Sequence, residues 1–196
     1  MDPQKIINAH YPPGTDLYDL FMRHAELVTK KSLGIAQNLP HLHLDTAFIQ
    51  EAAMLHDIGI FMTHAPNIHC KGSHPYVCHG FLGRQLLEDM GFPRHGLVSE
   101  RHTGAGITLD NITSNHLPLP HRDMVPVTLE EQIVCVADKF YSKSPDRAGD
   151  EGTVEKIIAC LSKIEPGHGQ RFAKWATQFH LRRPWGHSGE GSGLRY

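Results

Sequence analysis

A surplus of charge of either sign is missing from this chain. Lys plus Arg number 19 and Asp plus Glu 21, a formal net charge of −2. Basic residues form no arm, and the nearest candidate, Arg182-Arg183, is a bare pair. Binding a nucleic-acid polymer through its phosphates requires a basic stripe or face, so no such partner is expected. Apolar runs of membrane-spanning length are also absent, and "MDPQKIINAHYPPGTD" (1–16) lacks the basic-then-apolar order of a signal peptide. No membrane is expected, and the cytoplasm is the expected compartment. The four cysteines, Cys70, Cys78, Cys135 and Cys160, form no C-x-x-C pair. Cys135 and Cys160 lie in apolar segments and read as small hydrophobes. A Cys70–Cys78 pairing stays open, although nothing demands it.

Strand alternation is nearly absent too. "IVCV" (133–136) can pass as a buried strand, but its flanks carry a helical period through to Phe140. The rest is helical. Segment 15–39 spaces Leu17, Leu20, Phe21, His24, Leu27 and Val28 mostly at three- and four-residue steps, with Asp16 as a plausible cap. "DTAFIQEAAMLHDIGIF" (45–61) starts at an Asp45 cap and stays apolar on most sides, as a central buried helix does. "HPYVCHGFLGRQLLEDMGF" has Pro75 early and Gly91 late. A short helix starts near Pro93. Thr128 followed by Glu131 reads as a capping box, and two further helices finish the set. Segments 62–74 and 103–127 read as irregular, the second too long for a simple connector. The expected architecture is all-α: one domain over 1–196, with a core at about 15–165 and a C-terminal helix and flexible tail at 166–196.

What the chain has in excess is histidine, 16 residues in all. His10, His41, His43, His64, His69, His95, His116, His121, His168, His180 and His187 mostly sit in polar or Pro-rich surroundings and read as loop and surface. The others interrupt apolar faces. His24 lies among Phe21, Leu27 and Val28. His56 and Asp57 separate "AAML" from "IGIF". His79 shares a face with Phe81, Leu82 and Leu86, His102 follows Leu97 and Val98 by about one turn, and Asp138 is embedded in "IVCVADKF". One buried histidine needs no special account. A buried ionised Asp without a partner, however, costs several kcal/mol, to order of magnitude. Four inward histidines and two inward aspartates call for a shared partner, and divalent metal neutralises the carboxylates while using the imidazole lone pairs. On a helix, His56 and Asp57 stand about 100° apart, so both can face one ion.

These elements, in this order, resemble the HD-domain superfamily of metal-dependent phosphohydrolases in its HDIG form, named after "HDIG" (56–59). "RHAELVTKKSLGIAQNL" is similar to the family's first-histidine helix, "AAMLHDIG" to its namesake motif, "HGFLGRQLLEDMGF" and "LVSERHTG" to the next two helices, and "CVADKF" to its closing Ala-Asp motif. The resemblance implies that His24, His56, Asp57 and Asp138 hold one metal, that His79 and His102 complete a second site, and that Asp57 bridges the two. His56 and Asp57 would form the catalytic core. His74 is a rival to His79. Thr103 follows His102 where some two-metal relatives carry another ligand, so that ligand is either absent here or supplied by His116 or His121. Fe, Mn, Ni, Co, Zn or Mg, one or two ions per chain, is the implied cofactor.

The implied reaction is hydrolysis of a phosphate mono- or diester of a nucleotide or small phosphorylated metabolite by a metal-bound hydroxide. The alternative on the same ligands is a di-iron oxygenase cleaving a C–C or C–P bond. Substrate phosphate would meet Arg84 and Lys139, with Arg101 and Lys71 as lesser candidates. Glu26, Glu51 or Glu100 are candidates to orient ligand imidazoles, although surface solvation is the plainer reading. Segments 62–74 and 103–127 would wall the pocket, with Gly104 and Gly106 allowing close approach. No regulatory second domain is read, and the expectation is a freestanding enzyme.

Overall fold

The computed structural model describes residues 1–144 and 149–181. Among them the chain forms α1 (Pro3–His10), α2 (Asp16–Gln37), α3 (Thr46–Leu55), α4 (His79–Asp89), α5 (Pro93–Arg101), α6 (Leu109–Ser114), α7 (Leu129–Asp138), α8 (Val154–Ile164) and α9 (Pro166–Gln178). A two-residue antiparallel pair, β1 (His64–Ala65) and β2 (Cys70–Lys71), lies within segment 62–74. The fold is thus all-α in substance. No helix among the described residues is long and apolar enough to cross a membrane.

Most helix starts follow from capping chemistry. Asp45 accepts from the Phe48 amide at 3.0 Å, and Thr128 accepts from the Glu131 amide at 3.2 Å. The capping box at Thr128 is only half made, because the Glu131 carboxylate turns to the Val127 amide and to Arg101 instead. The cap of α2 is Thr15, not Asp16, which is the first helical residue. Two helices depart from the sequence expectation. Helix α1 is short, and its apolar content is little more than Ile6 and Ile7. Those two nevertheless enter the core with Tyr11, whose hydroxyl donates to the Ile58 carbonyl at 2.8 Å. Helix α6 interrupts the segment read as irregular, and its Thr108–Asn111 capping box is complete.

The core has two main parts. In one, α2, α3 and α7 pack with α8 and α9 through Val28, Ile49, Ile133, Val136, Ile157, Phe172 and Trp175. The other holds α1 and the start of α2 against Leu55, Ile58 and Ile60. Every residue from Ile133 to Asp138 is buried. That is why "IVCV" looks like a strand: a helix enclosed on all sides loses its polar stripe. Helix α9, expected outside the core, is part of it through Phe172, Trp175 and Ala176. The expected flexible tail falls mainly on 182–196, outside the described residues. Cys70 and Cys78 are both free thiols, which closes the question of their pairing.

The expected helix across 45–61 stops at Leu55. His56–Gly59 instead forms a tight turn, with Ile58 N–H bonded to Leu55 O and Ile60 N–H to Asp57 O, each at 3.0 Å. Gly59 shows what the turn accomplishes. A Cβ there would lie 2.2 Å from the His79 carbonyl oxygen and 2.5 Å from the Gly83 amide nitrogen. The turn therefore presses directly on the α4 backbone. Gly80 and Gly83 extend this approach to α5: a Cβ on Gly80 would meet Ser99 O at 2.6 Å, and one on Gly83 would meet Ser99 Oγ at 2.3 Å. Ser99 Oγ donates to the His56 carbonyl at 2.8 Å, so one hydroxyl ties all three segments together. Gly59→Ala is expected to destabilise the protein by about 1–3 kcal/mol or more through overpacking against backbone. Urea unfolding of the purified variant measures the loss, and an unchanged midpoint would contradict this packing.

Candidate metal centre

The fold brings all six predicted ligands together. His24 comes from α2, His56 and Asp57 from the turn after α3, His79 from the first position of α4, His102 from the residue after α5, and Asp138 from the last position of α7. None is more than 5% exposed. They form two groups that share Asp57. In the first, His24 Nε2 and His56 Nε2 stand 3.3 and 3.2 Å from Asp57 Oδ2, and 2.9 and 3.5 Å from Asp138 Oδ1. In the second, His79 Nε2 and His102 Nε2 stand 3.5 and 3.3 Å from Asp57 Oδ1. Each carboxylate oxygen of Asp57 thus faces a different group. Donors bound about 2.1 Å from a common ion stand roughly 3.0–3.4 Å from one another, the spacing seen here.

Ring orientation carries the argument further. Nδ1 of His56, His79 and His102 lies 2.6–2.7 Å from the carbonyl oxygen three residues earlier, that of Ala53, Tyr76 and Ser99. A carbonyl only accepts, so each Nδ1 donates and each Nε2 presents a lone pair inward. His79 Nε2 and His102 Nε2 then face each other at 3.1 Å, and His56 Nε2 faces His24 Nε2 at 3.3 Å. At His79 and His102, whose Nδ1 atoms both donate, two lone pairs meet, and a cation between them turns that repulsion into attraction. At His24, Nδ1 has no partner, and Nε2 can donate to Asp138 Oδ1 at 2.9 Å when no cation is bound. Asp57 Oδ1 and His24 Nδ1 are buried without a hydrogen-bond partner, and Asp57 Oδ2 has only the Lys143 ammonium as ion-pair partner; coordination of the carboxylate would satisfy the oxygen left bare. The residues fit a pair of divalent ions.

The electrostatics distinguish the two groups. Burial opposes charge on His56, but Asp57 and Asp138 outweigh it and lift the imidazole to about 9. Burial and the neighbouring His102 instead push His79 down to about 3, and burial lowers His102 as well. Burial also works against ionisation of Asp57 and Asp138. Lys143 beside the first and Lys139 beside the second reverse this, holding both well below the usual carboxylate range. The first group can take up a proton when no metal is bound, whereas the second keeps its lone pairs bare.

Sequence reasoning missed Lys143. Its Nζ lies 2.6 Å from Asp57 Oδ2 and 3.8 Å from Asp138 Oδ1. Burial disfavours its charge, but the Asp57 carboxylate overrides this and raises it above its ordinary value. It follows Asp138 by little more than one turn, after the helix has ended, and in sequence it resembles any surface lysine. Lys139, which was expected, reaches Asp138 Oδ2 at 2.5 Å.

Arg84 does not join the cluster. It pairs with Glu88 at 2.7 Å and with Glu100 at 2.5 Å, while Arg122 holds the other oxygen of Glu100 at 2.5 Å. Glu100 is therefore buried between two guanidinium groups rather than solvated. Glu26 is exposed, and Glu51 holds the N-terminal amine and His95. Backbone carbonyls, not these carboxylates, orient the imidazoles of His56, His79 and His102. Arg101 grips Glu131 through both carboxylate oxygens, and Lys71, His74, His116 and His121 are exposed. His168 is buried, contrary to its surface reading.

A cavity of about 810 Å³ opens onto His79, His102, Asp138, Lys139 and Lys143. Of the expected walls, segment 103–127 contributes only Thr103 and Gly104. Segment 62–74 lines a second cavity of about 530 Å³, which shares Tyr76, Ser142 and Lys143 with the first. The main walls are residues 138–143 and α8. Gly104 has φ +63, and a Cβ there would lie 2.8 Å from the His168 ring, so α9 is what requires that glycine.

The HD-domain family model matches residues 21–142. The chain belongs to the HD-domain family. It is 38% identical over 124 residues to the uncharacterized protein MJ0778 of Methanocaldococcus jannaschii, covering 63% of this HD-domain chain and 65% of that protein. It is also 37% identical over 125 residues to a tRNA (cytidine(56)-2'-O)-methyltransferase of Picrophilus torridus, covering 63% of this chain but only 32% of that protein. Among solved structures, the HD domain of the L. monocytogenes phosphodiesterase PgpH superposes with a TM-score of 0.47 at 15% identity, covering 92% of this chain and 99% of that one.

Metal analysis is expected to find up to two divalent ions per chain. His102→Ala should lose one, His24→Ala the other, and Asp57→Ala both. Loading the metal-free protein at neutral pH should release protons, since His56 is protonated below about 9 before metal enters. Full loading of Asp57→Ala would refute the shared centre.

Proposed function

We propose that this HD-domain protein is a metal-dependent hydrolase of phosphate esters. The observation that carries this reading is the division of Asp57, whose two oxygens face two separate sets of inward imidazole nitrogens 3.2–3.5 Å away. His24, His56, Asp57 and Asp138 would hold one ion, and Asp57, His79 and His102 the other. Two such ions supply Lewis acidity toward phosphoryl oxygens and lower the pKa of water.

The chain's own residues supply the rest. The carbonyls of Ala53, Tyr76 and Ser99 fix the imidazoles with Nε2 inward. Burial of the six ligands excludes bulk water and strengthens every charge interaction at the site. Lys139 and Lys143 place two ammonium groups beside the carboxylates, at the mouth of the larger cavity. An anionic ester entering that cavity meets both, and they offset its charge. Arg84 is not assigned this role, because it does not line the cavity and its guanidinium pairs with Glu88 and Glu100 instead.

The methyltransferase named among the relatives is a chain of which this one matches about a third. The net charge of −2 and the lack of a basic arm give no support to binding an RNA backbone. A small phosphorylated molecule is the substrate class that the cavity favours.

The test is a screen of phosphate mono- and diesters with metal-loaded protein, Mn²⁺, Ni²⁺ and Fe²⁺ being supplied separately. Phosphate release that disappears in Asp57→Ala is the expected result. Oxygen consumption by the iron form without phosphate release would replace the hydrolase with an oxygenase. Lys143→Met is expected to raise KM roughly tenfold or more, about 1.4 kcal/mol, while metal content persists. An unchanged KM would remove Lys143 from substrate binding.

A further inference from the structure

The family match ends at residue 142, yet the larger cavity does not. Its far wall is α8, which contributes Lys156, Ile157, Cys160, Leu161 and Ile164. The last four follow the i, i+3, i+4, i+7 pattern of a single helix face. Ile157 and Leu161 root this face in the core, whereas Cys160 is exposed and Ile164 is 72% exposed. A large aliphatic side chain left that open, in line with a charged centre and within one cavity, marks a surface an apolar ligand group can cover.

The wall is fixed relative to the centre. Helix α9, which follows α8 directly, donates from Arg171 Nε to Ala105 O at 2.8 Å and from Arg171 Nη2 to Gly106 O at 2.7 Å. His168 packs against Gly104. The turn held in this way is the one immediately after His102. The cavity therefore has a charged side, with His79, His102, Asp138, Lys139 and Lys143 at the centre and Asp150 and Glu151 beyond it, and an apolar side on α8, locked together through α9. At about 810 Å³ it exceeds what a phosphoryl group alone needs and falls in the range of sites for drug-sized ligands.

We propose that α8 determines substrate choice by seating the apolar organic part of the phosphate ester, an aryl or extended alkyl group, while the phosphoryl group lies at the metal centre. This rests on the phosphate-ester reading above. Ile164 and Ile157 are the specificity-determining side chains, acting on the part of the substrate that does not react.

The test uses non-hydrolysable phosphonates on the full, metal-loaded chain, with binding measured by calorimetry. Methylphosphonate probes the centre alone, and naphthylmethylphosphonate probes centre and wall together. The aryl compound is expected to bind roughly tenfold or more tighter, about 1.4 kcal/mol, and Ile164→Ser should bring the ratio of the two affinities close to one. Cys160 gives an independent readout, since the other three cysteines are buried. Its alkylation by iodoacetamide should slow with the aryl phosphonate and not with methylphosphonate. Equal affinities, or unprotected Cys160 at saturating aryl phosphonate, would overturn the wall and leave the phosphate-ester reading standing. If neither phosphonate binds to protein shown to carry its metal, that reading falls and the wall with it.

Discussion

Bare imidazole nitrogens facing one another across a buried carboxylate are the constraint on which the rest of this structure depends. Three backbone carbonyls dictate which ring nitrogen carries the proton, leaving lone pairs pointed at a shared interior point. Without a cation such an arrangement is repulsive. A proton on His56 relieves the first group only, since burial and the neighbouring ring hold His79 near 3. The two groups therefore differ in how they stand without metal: the first can hold a proton on His56, and the second keeps its nitrogens bare.

Bringing donors from five segments to within 3.5 Å requires backbones to approach more closely than side chains normally allow. Gly59, Gly80 and Gly83 make that approach possible, and Ser99 links the faces they open. In this light the glycine of "HDIG" is not a helix breaker added to a ligand pair. It is what lets the ligand-bearing turn rest on the helix that begins with His79. The packing that holds these backbones together is also what brings the six side chains together, and a methyl group at Gly59 disturbs both.

The all-α class and the six inward residues were legible because each polar side chain broke an apolar helical period, a signal that survives in one dimension. What was not legible depended on contacts distant in sequence. Lys143 reads as surface charge because nothing near it in sequence shows that the chain folds back over Asp57. Arg84 looked available for substrate because Glu100, sixteen residues on, gives no sign in sequence of being buried. His168 looked like loop because its neighbours are Gly167 and Gly169, yet α9 packs it beneath Gly104. Helix α1 escaped notice because two isoleucines in a polar octapeptide give too little period to detect.

The division between family segment and remainder also divides the chemistry. Residues 21–142 carry all six donors, along with the glycines and Ser99 that bring them together. They build the centre and say little about what it acts on. The α8–α9 hairpin carries none of the donors. It walls the cavity with Ile157, Leu161 and Ile164, and grips the turn after His102 through Arg171 and His168. A change in the hairpin can therefore alter which molecule fits without moving any donor. A change at Arg171 acts differently, because it releases the turn that both adjoins His102 and borders the cavity. On the proposed phosphate-ester reading, reactivity and selectivity are separable in this chain up to that latch, and they are coupled through it.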